Sequence, residues 1–300
     1  MFLPKVINQL NRTMSDKNLL VKKVNISKFD YFITYAWIHS GSYNLFERSL
    51  IRRILKNISP KGKFVIDIGC GPGLVLREMY HIYDHCVGTD ISPRILQQAK
   101  THFKAKKRRS IDLLCADVEY MPFKKSVFDV ASMYSVLHHL PNLNGSLKEI
   151  NRIMNSKSPF ILFHEPNAMH ARRVFEKTLL RILGKMRVVL LRTIHKRKWR
   201  QFSQETQRRS TNLGELEGLA DIHAKKGFGI IEMKRLLEEG GFEVIQIKTR
   251  MQSFMTTFAR LCWPYKSIAV LDFVLSEVPI LNNYLPLLVC IARKKRQNNI

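Results

Sequence analysis

The sequence predicts an α/β fold, a mostly parallel sheet with helices on both faces, and two observations carry that reading. From Lys61 to about Glu165, short apolar runs alternate strictly with helical patterns, as βαβ units require. The first of those runs also ends in closely spaced glycines followed at once by a helical pattern, so the chain turns sharply at a strand's end. Composition is compatible: 45% hydrophobic and 25% charged residues in 300 exclude wholesale disorder.

The elements follow in order. Residues 1–60 are basic and helix-like, with aromatics at Phe29, Tyr31, Phe32, Tyr35 and Trp37. Strands are expected at 63–68, 85–89, 111–115, 127–134 and 159–164, and helices at 74–80, 93–103 and 143–154. Pro72 has no N–H to lose and suits the first turn of the helix after the glycines. From Asn167 to about Lys226 the alternation stops in a basic insertion. It resumes with a helix at 230–239, closed by Gly240 and Gly241, and a strand at 242–248. A helical stretch at 261–275 precedes the last strand, 285–292. The count is seven strands. Four regions result: an N-terminal helical segment (1–60), a core (61–166), a basic helical insertion (167–226) and the completion of the fold (227–300).

Charge is the unusual feature. Fifty Lys and Arg against twenty-four Asp and Glu give +26, a surface that attracts nucleic acid, anionic lipid or an acidic ligand. Residues 171–200 concentrate it, with eleven basic residues and one acid, Glu176. On a helix, Phe175, Leu179, Ile182 and Leu183 share one face, and Arg173, Lys177, Arg181 and Lys185 the other. Three readings of this segment stay open: a lid over the site, a lid that also touches an anionic membrane, and a nucleic-acid contact. The longest apolar runs fall far short of the roughly 18–20 residues of a membrane span, and the first residues lack a secretory block. Five cysteines without a CxxC pair fit reduced thiols, so a cytoplasmic chain is expected.

The segment 65–73, VIDIGCGPG, runs from strand to helix through Gly69, Gly71 and Gly73. A dinucleotide fold would place its third glycine or alanine at 74, where this chain has Leu74. Asp90 ends the second strand, where a carboxylate can accept both hydroxyls of a ribose lying over the glycine turn. Ile91 can cover one face of a purine, and Asp117, ending the third strand, can accept from an adenine amino group. The fourth strand exits through a polar stretch containing Ser135, His138 and His139.

In these motifs residues 61–166 resemble the class I S-adenosylmethionine-dependent methyltransferases, within the group built like small-molecule and lipid methyltransferases. A weaker likeness lies around 220–244. The resemblance implies a Rossmann-like seven-stranded sheet with its last strand antiparallel, S-adenosylmethionine as cofactor, and a role for each matching residue. Asp67, Gly69, Gly71 and Gly73 would line the methionine side of the cofactor. Asp90 would hold the ribose, Ile91 and Val118 would contact adenine, Asp117 would bind its amino group, and Ser135 would lie near the amino-acid end. The family's Gly-Gly turn before the fifth strand is replaced here by residues 154–159, MNSKSP.

Methyl transfer from an activated sulfonium needs alignment, exclusion of water and, for some acceptors, a base, but neither a metal nor a covalent nucleophile. No His, Cys and Asp grouping has metal-ligand spacing, so no metal is expected. Base candidates follow the fourth and fifth strands: His138, His139, His164 and Glu165, with His223 further along. His164, Glu165 and His139 are the catalytic assignment, with His164 and Glu165 foremost. The acceptor expected is a small or lipid-like molecule, methylated by a protein peripheral to a membrane. RNA (tRNA or rRNA) is the alternative, because +26 can neutralise phosphates.

Overall fold

The computed structural model describes residues 16–31, 41–58, 64–103, 110–171, 223, 226–250, 285 and 287–296. Two helices, α1 (Asp16–Tyr31) and α2 (Gly41–Ile58), precede the first strand, β1 (Phe64–Ile68). Then come α3 (Leu74–Tyr80), β2 (His85–Asp90), α4 (Pro93–Phe103), β3 (Ser110–Cys115) and β4 (Val130–Tyr134). A 3-10 turn (Leu137–His139), α5 (Leu143–Ile153), β5 (Pro159–Pro166) and α6 (Ala168–Ala171) follow. α7 (Ile230–Glu239), β6 (Phe242–Arg250) and β7 (Leu287–Lys294) complete the set.

The strands form one seven-stranded sheet in the order β3-β2-β1-β4-β5-β7-β6. β1 to β5 pair in parallel, and β7 runs antiparallel to both its neighbours, β5 and β6. The chain steps outward from β1 to β3 and then restarts at β4 on the other side of β1. That reversal opens a crevice between the carboxyl ends of β1 and β4, the usual ligand edge of an open α/β sheet.

Strand periodicity sorts the core onto two faces. Ile66 and Ile68 of β1, with Phe160 and Leu162 of β5, pack against Leu147 and Ile150 of α5 and Met233 and Leu237 of α7. Val65, Ile161 and Phe163 turn the other way, toward Ile51 and Leu55 of α2 and Val75, Leu76 and Met79 of α3. α2 and α3 are also joined by charge: Glu78, fully buried, accepts from Arg48 at 2.5 Å and Arg52 at 2.7 Å.

Local differences from expectation have local causes. β4 begins at Val130, not Val127, because Phe128 makes only an isolated bridge to Met154. Pro72 sits in the turn ahead of α3 rather than in its first turn, the helix being entered from Gly73 in the left-handed region. The turn that lacks glycines before β5 is closed instead by Lys157 at φ 63, its N–H donating to Lys294 O. The expected helix at 261–275 and, past its first residue, the basic segment 171–200 lie outside the described residues.

Candidate active site

The glycine turn at the end of β1 is shaped from below by Asp67. Its Oδ2 accepts the Leu76 N–H at 3.0 Å, at the start of α3, and its Oδ1 accepts the Ser132 hydroxyl at 2.6 Å from β4. The carboxyl is 1% exposed, and burial pushes its pKa up to about 7 against those two hydrogen bonds. Asp67 therefore braces the turn; it does not line the ligand space, as the resemblance implied. Gly69 has φ 65, and a Cβ there would stand 2.4 Å from Val136 Cγ2, so only glycine lets the β1 and β4 exits approach this closely. At Gly71, φ 52, a Cβ would meet Ile95 Cδ1 at 3.8 Å, an ordinary contact, so there it is the left-handed backbone that favours glycine. Gly73, φ 94, finishes the turn.

Asp90 reaches the turn from the end of β2. Its Oδ2 accepts the Gly71 N–H at 3.0 Å and its Oδ1 the Ser92 N–H at 2.9 Å, so the carboxylate fastens the glycine turn to the start of α4. A carboxylate oxygen can accept more than one donor. Ile91, beside it, is half-buried, its carbonyl 3.6 Å from Cys115 Sγ. Cys70, inside the turn, is buried, and burial raises its thiol pKa, so it stays protonated.

Asp117, past β3, is engaged from a direction that sequence reasoning missed. Lys22 of α1 places Nζ 2.6 Å from Asp117 Oδ2 and 2.5 Å from Glu119 Oε1, the second contact off the hydrogen-bonding direction and so one of charge. All three side chains are at most 10% exposed. Asp117 Oδ1 accepts the Glu119 N–H at 3.0 Å, and Glu119 Oε2 accepts Asn142 Nδ2 at 2.7 Å. Three residues along the same face of α1, Asn25 Nδ2 donates to His139 O at 3.0 Å. α1 thus spans the crevice from the Asp117 side to the β4 exit. Nothing local in the sequence marks Lys22 or Asn25; only the docking of α1 gives them partners. Val118 packs against the core below Asp117, and Ser135, φ 57, donates its N–H to Phe163 O.

Across the crevice the structure brings the acceptor-side candidates together. Glu165 is fully buried, and its two oxygens receive four donors: Val136, Leu137 and His138 N–H at 2.9, 2.9 and 3.2 Å, and His138 Nδ1 at 2.8 Å. Burial alone would raise its pKa, but His138 and the backbone donors outweigh that and hold it below the usual carboxylate range. An ionised carboxylate with four donors cannot serve as the base, which corrects that assignment: Glu165 builds the β4 exit turn. His164 is also buried, stacked 5.1 Å from the Tyr134 ring at φ 64. Burial chiefly, with His138 nearby, lowers its pKa to about 4 despite the Glu165 charge. That leaves it a weak base at neutral pH, where an efficient general base titrates near the working pH. The ring of His139 lies 3.9 Å from that of His138, and the His223 N–H donates to His138 O. Among the described residues no group of three or more His, Cys, Asp or Glu could hold a metal ion.

These features fit one class of ligand. A glycine turn at the carboxyl edge of the sheet, a carboxylate bonded to that turn on the second strand and another acid on the third suit a nucleoside with hydroxyl and amino donors. The acceptor set therefore fits S-adenosylmethionine: Asp90 would hold its ribose and Asp117 its adenine amino group. Residues 66–162 match the methyltransferase domain family. Over 93 residues the chain is 37% identical to the malonyl-[acyl-carrier protein] O-methyltransferase of Legionella pneumophila, 30% of this chain and 32% of that one. Over 139 residues it is 27% identical to the ubiquinone biosynthesis O-methyltransferase of Coxiella burnetii, 45% and 58% of the two chains. The geranyl diphosphate C-methyltransferase of Streptomyces coelicolor, solved with S-adenosyl-L-homocysteine, shares the fold. The two superpose at TM-score 0.50 with 11% identity, over 82% of this chain and 79% of that one. The chain thus spans about a third to three-fifths of these two curated relatives' length. It carries a class I S-adenosylmethionine-dependent methyltransferase domain.

Proposed function

We propose that the protein transfers the methyl group of S-adenosylmethionine to a small-molecule or lipid-like acceptor at a membrane surface. The carrying observation is the juxtaposition at one sheet edge of the Gly69–Gly73 turn with Asp90 on one side and the histidines around Glu165 on the other. When bound, the cofactor supplies an already activated methyl group. The chain's own part is to hold it through the turn, Asp90 and Asp117, to cover it with α1, and to present an acceptor beside the β4 and β5 ends. In this reading the 1–60 segment, through α1, covers the cofactor and 227–300 completes the fold, while 167–226, expected as a lid over the acceptor, lies mostly outside the described residues.

A small acceptor is supported by the relatives named for malonyl-[acyl-carrier protein] and for ubiquinone synthesis. A lipid-like one at a cytoplasmic membrane face is supported by the +26 charge and its concentration on one side of a helical pattern at 171–200. The same charge favours RNA as a second reading. Purified protein, radiolabelled S-adenosylmethionine and fractionated cell extract test all of this. Label in the lipid fraction, with co-sedimentation on anionic but not neutral vesicles, is expected. Label in RNA alone would establish the second reading, and no transfer to any fraction would refute methyl transfer.

A further inference from the structure

Glu165 receives the Nδ1 side of His138, and a buried ionised carboxylate in that contact requires a donor. The hydrogen-bond network therefore assigns the proton to Nδ1 and leaves the lone pair on Nε2. Nε2 has no hydrogen-bond partner among the described residues, and the side chain keeps 10% of its surface exposed. The backbone of His138 is fixed twice more, its N–H to Glu165 and its carbonyl from His223 N–H. The ring thus stands on a 3-10 turn just past the carboxyl end of β4, on the ligand edge of the sheet. Three other titratable side chains face it: His139 on the same turn, His164 on β5 and His223 near the end of the insertion. His138 has a carboxylate bonded to one nitrogen and, among the described residues, no hydrogen bond on the other.

We propose that His138 is the general base for the acceptor and that Glu165 is the positioning residue that fixes its tautomer. This rests on the reading of the chain as a methyl-transfer enzyme. In the step, the acceptor's X–H bond gives its proton to Nε2 and its electron pair forms the X–CH3 bond. The C–S bonding pair leaves with sulfur in the demethylated cofactor, neutralising the sulfonium charge. His138 becomes imidazolium beside Glu165 and returns its proton to water on product release. A triply anchored imidazole loses little freedom in the transfer, which is what orientation contributes to such a step.

Two measurements test this, one of them independent of turnover. Nitrogen-15 NMR of protein saturated with S-adenosyl-L-homocysteine at pH 8 should show His138 protonated on Nδ1, and E165Q should mix the tautomers. A bare Nδ1 in the wild type overturns the proposal. Transfer is then compared for catechol, which must lose a proton, and thiophenol, already ionised at pH 8. H138Q should keep S-adenosyl-L-homocysteine affinity within threefold, lose at least thirtyfold in rate on catechol, and lose under threefold on thiophenol. An unchanged catechol rate, or equal loss on both probes, overturns the assignment. Wild-type protein that binds S-adenosyl-L-homocysteine yet methylates neither probe nor any cell fraction refutes the functional reading, and the tautomer measurement then decides the placement of the His138 proton by itself.

Discussion

Asp67 and His164 should tilt stability with pH in opposite senses, and a single substitution at either should unmask the other. Burial lowers the His164 pKa from 6.5 to about 4. Below pH 6.5 the unfolded chain takes up a proton that the fold refuses. The stability His164 contributes is therefore whole above 6.5 and is lost as pH falls through about 4. About two and a half pH units at about 1.4 kcal/mol each make this ~3 kcal/mol. Asp67 runs the other way, raised from 3.8 to about 7. Its contribution is whole below 3.8 and is lost as pH rises through about 7, ~4 kcal/mol by the same arithmetic. Chemical denaturation at constant ionic strength across this range, read as variant minus wild type, cancels every other titrating group. His164→Gln should gain about 3 kcal/mol on the wild type between pH 7 and pH 4, and Asp67→Asn about 4 kcal/mol between pH 4 and pH 7.5. A difference curve parallel to the pH axis for either variant would refute the buried titration of that group.

Lys22→Met strands Asp117 and Glu119 together under α1 and should cost about 3–5 kcal/mol in urea denaturation, with most of it recovered by adding Asp117→Asn and Glu119→Gln. No loss on Lys22→Met would mean that α1 does not dock through this lysine. Gly69→Ala should cost about 1–2 kcal/mol for the left-handed backbone and a further ~1–3 for crowding Val136. Adding Val136→Ala should return only the second part, and full recovery would place the strain elsewhere. Asp90→Ala removes the acceptor for the Gly71 and Ser92 N–H groups, so calorimetry with S-adenosyl-L-homocysteine should show affinity down at least tenfold. Binding within twofold of wild type would remove Asp90 from the cofactor site.

The strand-helix alternation of 61–166, the glycine turn and Asp90 at the end of β2 were all legible in the chain, because each is a local pattern: apolar period, backbone freedom, distance along the sequence. The reversed β7 came with the family resemblance and holds in the pairing of β5, β7 and β6. Which of two neighbouring polar residues turns inward was not legible. His164 and Glu165 both sit on β5, and sequence offered both as bases, yet one is stacked and neutral and the other is ionised under four donors. Asp67 likewise faces the start of α3 rather than the ligand space. Lys22 finds its acids 95 and 97 positions away, a pairing that exists only once α1 lies across the sheet edge. Pattern along the chain sets which strands and turns form, since those depend on each residue and its near neighbours. The charge state and role of a buried side chain depend on donors and desolvation supplied by segments remote in sequence, and only the packed structure brings those together.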